Sequence, residues 1–293
     1  MRKLELIVKE VQAGRRVKNL LRQEFDFSES QLSRLKYRDG AVLKNGAPVR
    51  LIDPAAAGDK IEVRLENCGE GELPLPILYE DEDFLILNKP VPMAVHGVAG
   101  GAETVESLWC GGRSGAFHAV NRLDRNTSGV MVAAKSAYIH DRLRKLLHTE
   151  AFCREYLALV SGCVTQAAGE IDLPLLREAG KSVPSPEGKA AYTLYNVLER
   201  GEGCTLLRLR LLTGRTHQIR AHCAAIGHPL LGDALYGGEG AERVMLHSWR
   251  VALRHPLSGE RITVEAPLPE DMQKAMEARG IDVENCLLDK KNC

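Results

Sequence analysis

Asp124 is the residue of this chain best placed to do chemistry. It stands between Arg122 and Arg125 and is followed by a polar turn, Asn126-Thr127-Ser128-Gly129, then by an apolar run from Val130 to Ala134. That run is short and β-rich, so it reads as a buried strand entered from a tight loop. A loop packed on a buried strand can hold a side chain rigidly and leave it open to a ligand. The plainer alternative is that Asp124 caps the turn or pairs with the arginines beside it. Two more polar blocks follow: Gly214-Arg215-Thr216-His217-Gln218-Ile219-Arg220-Ala221-His222, and His228-Pro229-Leu230-Leu231-Gly232-Asp233-Ala234-Leu235-Tyr236-Gly237. His217 and His222 with the adjacent Cys223 invite a metal reading. Ligands need a shared face and a third partner, however, and a spacing of five on a helix does not provide one. No metal site is expected.

These three blocks carry a resemblance. Arg122-Leu123-Asp124-x-x-Thr127-Ser128-Gly129 resembles the H-R-L-D-x-x-T-S-G signature of the RluA-type pseudouridine synthases, and the second block resembles that family's G-R-T-H-Q-I-R. The third is similar to its H-P-L-L-G-D-x-x-Y-G. All three stand in the family's order, and the chain departs at the first position, where Asn121 replaces histidine. The resemblance implies isomerisation of uridine in RNA: the base is detached and rejoined to ribose through carbon, with no cofactor and no metal. It implies that Asp124 is the essential carboxylate and that Arg220 is the arginine pairing with it. A guanidinium favours the ionised form of a carboxylate that burial would otherwise protonate. Tyr156 matches the active-site tyrosine, which can stack on uracil. Arg122 matches the residue that enters the space left by a flipped-out base, although a salt bridge to Asp124 is an alternative. Leu246 matches the apolar residue closing the pocket, although a core leucine fits its sequence context too.

Composition narrows the class. The chain has 293 residues, with 44% hydrophobic and 27% charged side chains, which suits one large or two smaller globular units. Basic and acidic residues are equal at 39 each, so any nucleic-acid partner must be argued from local charge. No run approaches the roughly 18 apolar residues of a membrane span, and the N-terminus lacks a signal-peptide core. A cytoplasmic protein is expected, with no membrane partner and no DNA. Eight cysteines without a C-x-x-C are expected to be reduced, mostly packed thiols rather than a disulfide frame or zinc site.

The elements that must position these residues divide the chain. Residues 1–66 read as a small α+β module: a helix at Val17–Phe25, a second opened by the Ser28/Gln31 capping box, a hairpin around Asn45-Gly46, and a strand at 61–65. This order resembles the S-four-type RNA-binding domain. The module carries 14 Lys and Arg against 10 Asp and Glu. Arg15, Arg16, Lys18 and Arg22 are placed on the first helix, and Arg34, Lys36 and Arg38 on the second. They are the candidate phosphate contacts; the alternative is a solvated helix face.

Residues 67–76 read as a Gly/Pro linker and 77–275 as the catalytic domain, a mixed and mainly antiparallel β-sheet with flanking helices. The resemblance carries that domain, and the fold class is α+β. Strands are expected around Phe84–Leu87 and Arg154–Val160, and helices at 104–109, 136–149 and 217–226. Residues 166–190 read as an irregular excursion, 192–212 as a hairpin, and 276–293 as a tail. The expected partner is structured RNA, ribosomal or transfer, bound by a monomer. A catalytically silent RNA-binding or assembly protein on the same frame is the alternative, motivated by Asn121. A glycoside hydrolase would need a paired second carboxylate, and none stands in the matched blocks next to Asp124.

Overall fold

The computed structural model describes residues 2–66, 68, 70–97 and 101–282. Parts of the linker, most of the tail, and Cys286 and Cys293 lie outside the described residues.

The N-terminal module is built on a four-stranded antiparallel sheet of β1 (Lys3–Ile7), β2 (Val42–Lys44), β3 (Ala47–Pro48) and β4 (Lys60–Arg64), in the order β1-β4-β2-β3. Strand β1 was not foreseen in the sequence. Two helices cover the sheet, α1 (Val17–Phe25) and α2 (Glu29–Lys36). Helix α2 starts where expected, because the Ser28 hydroxyl accepts from the Gln31 N–H and the Gln31 side chain accepts from the Ser28 N–H. The Asn45-Gly46 turn has positive φ at both residues, as a type I′ hairpin requires. Helix α1 begins only at Val17, so Arg15 and Arg16 lie before it, and Arg38 lies beyond α2. The basic residues therefore occupy two helices and their entry and exit turns.

The unit that the resemblance assigns as catalytic follows as β5 (Ile77–Glu80), β6 (Phe84–Lys89), α3 (Val105–Gly112), β7 (His118–Ala119), β8 (Ser128–Ala134) and α4 (Ala137–Leu146). Then come β9 (Phe152–Ser161), β10 (Ala168–Asp172), β11 (Leu175–Glu178), β12 (Lys181–Pro184), β13 (Tyr192–Gly201) and β14 (Cys204–Leu211). The chain ends through α5 (Gln218–Ala225), β15 (Leu246–Arg254), β16 (Arg261–Glu265) and α6 (Glu270–Glu277). The stretch 166–190 is thus not irregular. Strand β10 edges the main sheet, and β11 and β12 form a separate hairpin. Its Gly, Pro and charged residues mask strands that are paired through backbone rather than through an apolar pattern. Helix α6 buries Met272 and Met276, and Ile281 packs with them, so the apolar core of this unit runs past residue 275.

The main sheet runs β10-β13-β14-β9-β15-β8-β6-β5, with β16 and β7 attached at β15 and β8. Its pairings are antiparallel except one: β15 lies parallel to β8, with His247 opposite Ser128 and Ser248 opposite Gly129. This seam joins the two halves of the sheet. Gly129 has φ +105, and a Cβ there would overlap the Ser248 carbonyl oxygen, so only glycine lets β15 approach this closely. All seven residues of β8 are buried, because both faces of the sheet are covered. On one face Phe84, Ile86, Val130 and Val132 join a cluster that continues into the N-terminal module; on the other Leu85, Leu87, Met131, Tyr156 and Leu246 pack together.

The module is docked against the catalytic unit. Phe27 stacks on Tyr138 of α4 at 4.5 Å, the Tyr138 hydroxyl donates to the Phe25 carbonyl, and Arg142 donates to the same oxygen.

Candidate active site

The loop carrying Asp124 is held at both ends. On its N-terminal side the buried Asn121 accepts, through its side-chain oxygen, the backbone N–H of Val132 at 2.8 Å. On its C-terminal side Thr127 donates its N–H to the Asp124 carbonyl, and the Ser128 hydroxyl bonds His247 across the seam at 2.8 Å. Asn121 therefore builds the loop from within the fold, which is what a turn-forming amide does well. The Asp124 side chain is left partly exposed, with Arg220 Nη1 at 3.5 Å and His217 Nε2 at 3.9 Å from one of its oxygens. Its cationic partner, Arg220, comes from α5, and the His217 ring comes from the turn before it. Arg122, whose pairing with Asp124 was the alternative reading, is exposed at the rim.

Arg220 is committed elsewhere as well. Its Nε and Nη2 each lie 2.7 Å from an oxygen of Asp233, a two-bonded fork, and Asp233 is fully buried. The Tyr236 ring lies 5.1 Å from the guanidinium carbon. The Tyr236 hydroxyl accepts the Ser182 N–H and donates to the Ser182 carbonyl on β12. Burial works against the Arg220 charge; the Asp233 bond and Asp124 more than offset it, so its pKa stands above the ordinary arginine value. Burial pushes the His217 imidazole down against the pull of Asp124, so it is neutral at pH 7.

The polar residues of the second block are mostly scaffold. The Gln218 amide donates to Tyr192 O and Thr193 Oγ1 and accepts from Thr213 Oγ1 and the Arg215 N–H. His222 bonds Thr193 Oγ1 and Leu173 O through its two nitrogens. Together they fix α5 to β13, so that Arg220 faces the seam. His217, at the helix entry, has φ 52, a left-handed conformation that turns the chain into α5.

A cavity of about 50 Å³ opens above the seam, lined by Arg122, Asp124, Tyr156, Arg215, Arg220 and Leu246 among others. A water needs roughly 10–15 Å³, so this space holds a few waters and must widen to admit a base. Tyr156 sits on β9 opposite Ser248, and Leu246 opens β15; both are buried. Burial pushes the Tyr156 phenol up, so it stays a neutral donor. Sequence positions 122, 124, 156, 220 and 246 are thus brought to one place. The seven basic residues of the module are not among the lining residues: Arg22 pairs with Glu29, and Arg34 and Arg38 line a separate cleft between module and catalytic unit.

Three participants were missed. Asp233 and Tyr236 stood in the third block without a role, although a carboxylate in a tight Gly-Asp turn would need a cation once buried. Lys89 ends an apolar strand, and the period of two puts it on the face of Leu85 and Leu87, toward Tyr156 and Leu246. It is fully buried, and its amine donates to the carbonyls of Pro90 and Met93 and, at 3.4 Å, of Arg125 beside Asp124. Burial depresses its pKa to about 7, against the attraction of Asp124.

Comparison with known proteins bears on this arrangement. A model of the RNA pseudouridylate synthase family matches residues 83–225. Ribosomal large subunit pseudouridine synthase D of Escherichia coli (strain K12) is 36% identical, over 96% of this chain and 95% of that protein. The protein of the same name from Haemophilus ducreyi is 37% identical over 92% of each. Human RNA pseudouridylate synthase domain containing 1 is 26% identical and superimposes with TM-score 0.56 over 67% of this chain and 84% of that one. Human RNA pseudouridylate synthase domain containing 4, at 22% identity and TM-score 0.58 over 71% and 94%, shares the fold. With three sequence blocks meeting at one seam, and relatives aligned along almost its whole length, the chain belongs to the RluA-type family of RNA pseudouridine synthases, isomerases that convert uridine in RNA to pseudouridine.

Proposed function

We propose that the substrate is ribosomal RNA of the large subunit and that Asp124 is the carboxylate on which the isomerisation depends. The observation that carries this reading is the placement of Asp124 at the cavity, with Arg220 beside it and Tyr156 and Leu246 lining the same space. Support for the ribosomal target comes from the relatives named as large-subunit enzymes, which align over more than nine-tenths of both chains. In the reaction the N1–C1′ bond breaks, the base turns, and a C5–C1′ bond forms; N1 gains a proton and C5 loses one, so atoms balance without a co-reactant. Asp124 supplies the negative charge at the glycosidic bond. Tyr156 stacks on the uracil, Leu246 closes the pocket floor, and Arg220 holds Asp124 in place. Arg122, exposed at the rim, fills the gap that the flipped nucleotide leaves in the RNA.

The N-terminal module binds RNA phosphates through Arg15, Arg16, Lys18, Arg22, Arg34, Lys36 and Arg38, adding affinity and register without chemistry. On this reading the protein works as a monomer in the cytoplasm. No described helix is long and apolar enough to cross a membrane.

The test is to incubate unmodified large-subunit ribosomal RNA with purified protein and map pseudouridines base by base. Wild type is expected to produce them and Asp124→Asn to produce none while still binding RNA within a few fold. Turnover near wild type in Asp124→Asn would remove Asp124 from this role. Modification of transfer RNA alone would redirect the substrate assignment.

A further inference from the structure

Arg220 has three nitrogens, and Asp233 takes two of them. Both bonds to Asp233 are 2.7 Å, whereas the remaining nitrogen, Nη1, stands 3.5 Å from Asp124, too long for a good hydrogen bond. The arginine is therefore bonded to the buried carboxylate and only leans toward the one in the cavity.

The hold on Arg220 is rigid. Asp233 follows Gly232, whose φ of +73 sets a tight turn, and a Cβ on Gly232 would overlap the Arg243 carbonyl. The Asp233 carbonyl accepts the N–H groups of both Tyr236 and Gly238 at 2.9 Å. Tyr236 covers the guanidinium with its ring and is itself tied to β12 through Ser182. These contacts fix the backbone from which Asp233 projects and the ring that covers the guanidinium.

The charges count the same way. Asp124, Arg220 and Asp233 together carry two negative charges and one positive. A lone arginine next to a carboxylate prefers the two-bonded fork, which occupies both oxygens. Here that fork is spent on Asp233, and Asp124 keeps an oxygen for the substrate.

We propose that Asp233 is a positioning residue of the isomerisation: by holding two nitrogens of Arg220 it stops the guanidinium from forking onto Asp124 and leaves that carboxylate available to react. The proposal rests on Asp124 being the reactive carboxylate. It gives the third sequence block a role in turnover in addition to its role in folding the turn.

The test uses full-length protein and a large-subunit ribosomal RNA transcript, with kcat, KM and the pH profile measured for Asp233→Asn and Asp233→Glu. Asparagine is isosteric and accepts one arginine nitrogen, so the freed guanidinium can rotate onto Asp124. The expected result is a 100-fold or greater loss of kcat, with KM within about threefold, and an acid limb of the rate profile moved to lower pH. That movement follows because a forked guanidinium favours the ionised carboxylate. Asp233→Glu retains the counter-charge, so its acid limb is expected at the wild-type position with a reduced kcat. A folded Asp233→Asn protein with wild-type kcat, or one in which kcat and KM worsen together with no movement of the limb, overturns the proposal and leaves Asp233 a structural contact. If Asp233→Asn does not fold, Asp233→Glu decides, and an acid limb moved to lower pH there, or an unchanged kcat, overturns it. Asp124→Asn is run in parallel. Should that variant stay active, the reading of Asp124 itself fails; if it is dead while Asp233→Asn turns over normally, only the present inference fails.

Discussion

Lys89 offers the sharpest physical test of the catalytic face. Its amine is fully buried, and its pKa falls from 10.5 to about 7, chiefly through desolvation. Between pH 7 and about 10, then, the unfolded chain carries a proton on this lysine that the folded protein does not. Stability therefore rises with pH in that window, by up to about 1.4 kcal/mol per pH unit. Its bonds to Pro90 O at 2.9 Å, Met93 O at 2.8 Å and Arg125 O at 3.4 Å hold the amine in place, and it is desolvation that acts against its charge. Lys89→Met keeps the length and apolar stem and removes the titration. Urea unfolding followed by the fluorescence of the buried Trp109 and Trp249 should show wild type gaining on the variant by on the order of 2–3 kcal/mol between pH 7.5 and 9.5. Because Asp124 pulls the Lys89 pKa up, Asp124→Asn should steepen the same difference near pH 7. A wild-type advantage that stays flat from pH 7.5 to 9.5 would mean that the amine remains charged in the fold, and the argument from desolvation would be wrong.

Other outcomes follow from the same contacts. Arg220→Lys has one nitrogen where three are in use, so kcat should fall at least about a hundredfold, or about 2.7 kcal/mol, in single-turnover assays; a rate near wild type would show that the fork is dispensable. Asn121→His should change the rate by less than about tenfold, since an imidazole nitrogen can accept the Val132 N–H in its place; a gain of several orders of magnitude would mean that asparagine had silenced the site. Gly129→Ala should lose on the order of 3–5 kcal/mol in thermal or urea unfolding, because its Cβ meets the Ser248 carbonyl at the seam. The N-terminal module shares a hydrophobic cluster with the catalytic unit, so its RNA role is better tested by charge removal than by truncation. Arg15→Gln, Arg16→Gln and Lys18→Gln combined should flatten the salt dependence of RNA binding by roughly two log units per log unit of salt, and an identical slope would return these residues to ordinary solvated positions.

Local signals were enough to read much of this protein from its sequence. The Ser28/Gln31 box, the Asn45-Gly46 turn and the apolar run after Asp124 each depend on neighbours a few residues away, and each folds as that pattern dictates. The three polar blocks carried the family, and with it the expectation that Asp124 and Arg220 would meet. Pairing between distant segments left weaker marks. The β11–β12 hairpin is held by backbone bonds and by Ser182, which touches both Tyr236 and Thr216, so its composition reads as loop. Strand β1 is half exposed and charged on its outer face, and only pairing with β4 identifies it. The parallel seam between β8 and β15 links residues more than a hundred positions apart, and it is this contact that brings Leu246 to the Asp124 loop. Charge pairing was decided in the same way. Asp124 has two arginines beside it in sequence, yet the folded loop turns its carboxylate toward Arg220, and Arg220 has already been claimed by Asp233. Which cation meets which carboxylate depends on burial and on the angle at which strands and helices cross, and neither quantity exists until the chain has folded.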